Sequence, residues 1–370
     1  MPTLDGWRAI AILSVVLYHD RQYSFRPVGT GWIHEFGLYG VDLFFAISGL
    51  LICSRLLEEE QVFSHISLRN FYIRRAFRIL PPALLFLIVV AVLALVGVFQ
   101  LHLREWLVTL LFFRNYTALA GAVTPDSNFV EHFWSLAVEE HFYLILPGIL
   151  VLTHNRWRLP ALLGLASLVE LHCYFALKSR VWALVGHHTG VRLDYLLIPA
   201  IFAVIAQSGA MKLQFKKWFR MWPLILVGIG VLVTFGTEDF WQVTLLSLLL
   251  PPMLLGSVLN AQRYLERVLE WAPLRYLGRI SYSVYLWQQL FFTGRVLGDR
   301  HPLGILEQTP LRFVATLVCA MASYHFIERP LIRLGHKLAP PATPGRSDLA
   351  DHQKTAEIIE IEDGNGQIEA

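Results

Sequence analysis

Charge is what this 370-residue chain has little of: 31 Lys and Arg with 28 Asp and Glu leave 16% of residues charged, against 55% hydrophobic. A soluble domain runs nearer 25% charged, so the deficit excludes most soluble enzyme classes. Cysteine is scarce as well. Cys53, Cys173 and Cys319 lie inside apolar runs with no pairing or ligand spacing, which excludes a disulfide scaffold and leaves them as small interior residues. A net charge of +3 provides no basic surplus for a polyanion, so nucleic acid is excluded as a partner. Soluble-enzyme motifs are missing too: no His has Asp at i+4 or i+5, and there is no Walker loop and no Gly-x-Ser-x-Gly elbow. His187 and His188 are adjacent and point apart on a helix, so no metal site is expected.

What is there instead is apolar sequence in long runs, with a mean hydropathy of +0.50. A helix needs about 20 residues at 1.5 Å each to cross roughly 30 Å of hydrocarbon. Runs of that length are centred near residues 14, 47, 90, 143, 168, 201, 229, 249, 287 and 319, so the expected fold is all-α, a polytopic membrane helix bundle of about ten transmembrane helices. Glu105 to Asn115 is too short to cross and reads as re-entrant or interfacial. The first run is preceded by no Lys or Arg and followed by His19-Asp20 rather than a cleavage site, so it is expected to be a span and not a signal peptide. Loops on one side would carry fifteen Lys and Arg against ten on the other, which puts both termini in the cytoplasm. Residues 1–337 are the expected membrane domain. From 338 the sequence turns Pro-rich and then acidic, cannot bury enough apolar surface to order itself, and reads as a disordered cytoplasmic tail. No soluble catalytic domain is evident, so any chemistry is expected among the helices.

A charge at mid-bilayer costs about 2.5–3.5 kcal/mol, so polar residues inside spans are functional candidates, while those near helix ends can snorkel to the interface. Arg8 and His19 are eleven residues apart: a rise of roughly 16 Å, and within about 20° of one helical face. Asp42 lies near the outer entrance of the second span, and Ser48-Gly49 further along it suits close helix packing. In Phe71 to Pro82, Arg74, Arg75 and Arg78 alternate with apolar residues on an interfacial helix expected to end at Pro81-Pro82. They read either as topology anchors or as a phosphate clamp, since guanidinium forks match phosphate oxygens. The fourth span opens His132-Phe133-Trp134-Ser135 and continues to Glu139-Glu140-His141-Phe142-Tyr143, with Glu139 and Tyr143 on one face. Arg192 and Asp194 begin the sixth span, Gln288 and Gln289 lie within the ninth, and Glu328-Arg329-Pro330 closes the tenth.

The ordered series of these segments resembles the integral membrane acyltransferase 3 family, which contains O-antigen and other polysaccharide O-acetyltransferases. Leu4 to Ala11 with Tyr18-His19 is similar to its opening motif, an Arg and a His with ten residues between them. Gly40 to Gly49, Phe71 to Pro82, Trp134 to Pro147, Leu277 to Trp287 and Phe326 to Pro330 resemble later segments in the same order, over about residues 3 to 335. Members often have His where this chain has Gln288, which hydrogen-bonds but cannot shuttle a proton. The resemblance implies an enzyme that takes an acyl group, usually acetyl, from cytoplasmic acyl-CoA to a hydroxyl of a carbohydrate or another cell-envelope or small-molecule acceptor. It implies a multi-pass protein of the bacterial inner membrane, with the lipid bilayer as a partner and room for a homo-oligomer. On that expectation Arg74, Arg75 and Arg78 attract the CoA phosphates, Arg8 holds the donor at the pore mouth, and His19 is general base or acyl carrier. Glu139 or Asp42 would orient it, and Trp134, Ser135, Tyr143, Arg192 and Gln288 would face the acceptor. The competing class is a transporter or flippase without bond chemistry, because a carrier needs the same buried charges and pore.

Overall fold

The computed structural model describes residues 1–23, 37, 39–116, 125–179, 185–207, 209–235, 240–260, 263–292 and 302–340. The expected tail lies almost wholly outside the described residues. Within them the protein is helical, with no strand. The main elements are α1 (Pro2–Tyr23), α2 (Gly40–Phe63), α3 (Leu68–Leu95), α4 (Leu103–Leu110), α5 (Phe133–Leu152), α6 (Asn155–Lys178), α7 (Asp194–Ala206), α8 (Gly209–Trp218), α9 (Trp222–Phe235), α10 (Phe240–Leu259), α11 (Arg263–Leu269), α12 (Ala272–Phe291), α13 (Leu311–Ser323) and α14 (Arg329–Leu338).

Seven helical stretches among the described residues are long and apolar enough to cross a membrane, among them α2, α3, α6 and α10. The shortfall from ten has physical causes. α7 has 13 residues, about 20 Å at 1.5 Å per residue, which is short of the roughly 30 Å hydrocarbon core. α1 and α12 have the length, but α1 carries Asp5, Arg8 and Asp20, and α12 carries Arg275, Arg279, Gln288 and Gln289. These two polar helices pack along each other, with α2 beside α1 and α13 beside α12. That packing buries Gln288 and Gln289 and partly covers Asp5 and Arg8, whereas Arg279 stays exposed.

The interfacial helix expected to stop at Pro81-Pro82 does not stop. α3 runs through the pair, which costs two backbone donors. Tyr282 Oη on α12 donates to the Ile79 carbonyl at 2.9 Å, tying the helix to its neighbour just before the prolines. The segment from Glu105 contains only the two-turn α4, and Phe112, in the left-handed region at φ 57°, follows its end.

Buried apolar side chains form two clusters. One joins α2, α5, α6, α7, α9 and α10; the other joins α1, α3, α12, the Pro125–Val130 turn and the start of α5. Val41, Phe44, Phe112 and Tyr282 pack against both. The polar groups of the candidate site collect along that seam.

Candidate functional site

Two cavities share the seam. The first is lined by Arg8, Arg75, Arg78, Ser48, Ser135, Glu139, Tyr143, Ser281 and Tyr282. The second, with a volume of about 260 Å³, is lined by His19, Asp42, Glu131, His132, Trp134, His187, Arg192 and Gln289. Val41 and Tyr285 line both and form their common wall.

The arginine cavity is assembled from five helices, α12 adding Ser281 and Tyr282. α1 supplies Arg8, whose Nη1 is held by Asp5 Oδ1 at 3.1 Å, one helical turn away. α3 supplies Arg75 and Arg78, three apart and so on neighbouring positions of one face. The Arg75 guanidinium lies 5.0 Å from the centre of the Tyr143 ring and 5.8 Å from that of Phe71, within cation–π range of both. α5 supplies Glu139, whose Oε1 accepts a hydrogen bond from Ser48 Oγ of α2 at 2.7 Å. Ser48 and Gly49 divide two roles here. A Cβ on Gly49 would stand 2.2 Å from the Leu196 carbonyl oxygen, so α2 meets the backbone of α7 at Gly49 while Ser48 faces α5. Three guanidiniums against Glu139 and the Asp5 that holds Arg8 leave a cationic pocket, with hydroxyls of Ser48, Ser135, Tyr143, Ser281 and Tyr282 along its sides.

In the histidine cavity, His19 Nδ1 lies 2.9 Å from the Val15 carbonyl. A carbonyl only accepts, so Nδ1 carries the proton and Nε2 keeps the lone pair. Asp42 pairs with Arg192 at 3.4 Å, and Arg192 lies 5.9 Å from the centre of the Trp134 ring. Trp134 is stacked on His187, with centroids 4.3 Å apart and planes 9° from parallel. Glu131 Oε2 accepts from the fully buried Arg114 at 2.5 Å. The wall is hydroxylic: Ser135 Oγ and Tyr285 Oη are 2.6 Å apart, and both reach the His132 carbonyl, at 3.1 and 3.0 Å.

The sequence candidates therefore divide. Arg8, Arg75, Arg78, Ser135, Glu139 and Tyr143 share one cavity; His19, Asp42, Trp134 and Arg192 share the other. Arg74 lines neither: its Nη2 is bound to Glu59 at 2.7 Å and its Nη1 to the Pro340 carbonyl at 3.2 Å. Gln288 lines neither, being wholly buried with its amide 3.3 Å from Gln289, while Gln289 faces the cavity and donates to the Asn128 carbonyl at 2.7 Å. Glu139, expected to orient His19, is committed to Ser48 in the other cavity, which leaves Asp42 as the carboxylate of the pair in the cavity of His19. Glu328 lies off both cavities and accepts from Ser283 at 2.8 Å. Ser48, His132 and Tyr285 were missed as site residues. Ser48 and His132 stood in polar, quoted segments, and Tyr285 sits one turn before Gln289 on the same face. Among the described residues, no group of three or more His, Cys, Asp or Glu is placed to hold a metal ion.

The family model described as an acyltransferase domain, acyltransferase 3, matches residues 1–325. O-acetyltransferase OatA of Staphylococcus aureus strain NCTC 8325 / PS 47 is 28% identical over 370 aligned residues, covering 91% of this chain and 58% of the relative. OatA of strain MRSA252 gives the same figures. The chain thus spans less than two thirds of the length of these relatives. No solved structure matches it.

Proposed function

The chain belongs to the acyltransferase 3 family, and on that premise we propose that it is a membrane O-acyltransferase. It takes an acyl group, acetyl above all, from cytoplasmic acetyl-CoA to a hydroxyl of a carbohydrate or other cell-envelope acceptor in the bacterial inner membrane. The observation that carries this reading is the pair of cavities on one wall: fixed cations on one side of Val41 and Tyr285, and an imidazole with a directed lone pair on the other. A phosphorylated donor needs the first, and a thioester carbonyl needs the second.

In this reading Arg75 and Arg78 meet the phosphates of CoA as charge-assisted hydrogen-bond donors, and Arg8 holds the arm where it enters the bundle. The phosphopantetheine arm is roughly 15–20 Å long by chain-length reasoning, and Arg8 and His19 are separated by a helical rise of about 16 Å. The nucleotide therefore stays in the arginine cavity while the thioester reaches His19. There Nε2 attacks the carbonyl, the C–S bond breaks, and CoA leaves as a thiolate that takes a proton from solvent. Tyr285 Oη stands at the wall where an oxyanion forms and donates to it by turning from the His132 carbonyl, which Ser135 Oγ then holds alone. Asp42 and Arg192 hold one another at the acceptor side, and Trp134 supplies an aromatic face for a sugar ring.

Labelled acetyl-CoA given to the purified full chain in detergent, with no membrane gradient, tests the reading. Release of CoA with an acetylated product is expected, and His19→Ala should abolish it. A protein that binds acetyl-CoA, releases no CoA and moves its ligand only across vesicles is a carrier, and the reading falls.

A further inference from the structure

His132 is 3% exposed, and neither Nδ1 nor Nε2 has a hydrogen-bond partner. Leaving a buried polar group unsatisfied costs about 1–3 kcal/mol. The ring is nevertheless held firmly. Phe86, Phe133 and Tyr285 surround it at centroid distances of 5.2, 4.9 and 5.5 Å, each steeply inclined to it. Its own carbonyl is fixed by the hydroxyls of Ser135 and Tyr285. A backbone pinned from one side and a ring clamped from three leave the imidazole no route to another protein partner. His132 lines the cavity that also holds His19.

The other carboxylates and imidazoles there have partners: Asp42 is paired with Arg192, Glu131 with Arg114, His19 spends Nδ1 on the Val15 carbonyl, and His187 is stacked on Trp134 with Nδ1 3.8 Å from Glu131. His132 is left with an imidazole whose nitrogens have no hydrogen-bond partner. We infer that His132 is the general base for the acceptor: it removes the proton from the incoming hydroxyl while His19 carries or presents the acyl group.

This rests on the acyl-transfer reading above. The acceptor O–H bond breaks, its proton going to His132, and its oxygen bonds to the acyl carbon. The bond from that carbon to His19 Nε2 breaks, and its electron pair returns to the ring. His132 then releases its proton to water. With the proton taken up by the CoA thiolate, the cycle is balanced. His132 touches the reacting hydroxyl and is in that sense a catalytic residue.

The test compares two nucleophiles in the full chain supplied with acetyl-CoA: hydroxylamine, which attacks without a base, and methyl glucoside, an alcohol that needs one. General-base contributions are about 10²–10⁴-fold. His132→Asn should form acetohydroxamate within about 3-fold of the wild type and lose about 100-fold or more of acetyl transfer to the alcohol. His19→Ala should lose both products. Should the Asn variant melt early, His132→Ala supplies the second measurement: added imidazole should restore transfer to the alcohol. Equal loss of both products in the Asn variant, or unchanged transfer to the alcohol, overturns the role of His132 and leaves the acyltransferase reading standing. A wild-type protein that makes neither product overturns that reading and this inference with it.

Discussion

The arginine cavity and the histidine cavity are built on the same helix, α1, and are separated by one tyrosine and one valine, yet their polar groups are of different kinds. The first gathers guanidiniums, which stay charged at any physiological pH, around a carboxylate that already has a hydroxyl donor. The second gathers imidazoles, which exchange protons near neutrality in water, beside carboxylates that already have cations. Fixed charge suits holding; a free lone pair suits reacting. On the proposed function, binding and chemistry fall to different compartments, and each is then open to damage without the other.

That separation is open to attack. The largest effect is expected from His19→Ala, with a loss of at least about 10³-fold in CoA release and no change in CoA affinity by equilibrium binding. A parallel fall in affinity would mean that the compartments do not divide the work. Next comes Glu139→Ala, which removes the carboxylate that lines the cavity beside Arg75 and Arg78 and strips Ser48 of its acceptor. Breaking a buried charge cluster from one side costs about 3–5 kcal/mol, read as a lower melting temperature, while Glu139→Gln keeps the Ser48 bond and should lose less. Arg75→Ala and Arg78→Ala should each weaken CoA binding about 10-fold, the worth of one charge-assisted contact, with the protein still folded. The smallest effect is reserved for Arg74→Ala: CoA affinity should stay within about 2-fold of wild type, since its guanidinium is occupied by Glu59. If Arg74→Ala and Arg75→Ala weakened CoA binding alike, the boundary drawn between cavity and surface would be wrong.

Much of this was legible in the sequence because charge is expensive in an apolar chain. Arg8, Asp42, Glu139 and His19 stood out for that reason, and the 100° step of a helix put Arg8 and His19 on one face before any coordinates. What the sequence could not supply was phase. Arg74 and Arg75 are neighbours, as are Gln288 and Gln289, and a helix turns each pair about 100° apart, so one member faces the seam and the other does not. Composition cannot say which, because the choice depends on how α3 and α12 are rolled against α1. His132 escaped for another reason. It sits in the turn just ahead of α5, where helical periodicity has not begun, and only the packing of Phe86, Phe133 and Tyr285 fixes its direction. The proline pair misled because α3 is stabilised by its neighbours rather than by its own hydrogen bonds alone. Ten apolar centres were found, but span length is a property of continuous helix, and α7 has too little of it.

The shared wall has a consequence for the membrane itself. Tyr285 is held by two hydrogen bonds, to Ser135 and to the His132 carbonyl. At roughly 1 kcal/mol each, breaking both disfavours the open arrangement by a factor of about 30, from a side-chain rotation and with no helix displaced. If acyl groups pass between the cavities as proposed, that passage is shut most of the time by a latch of one residue.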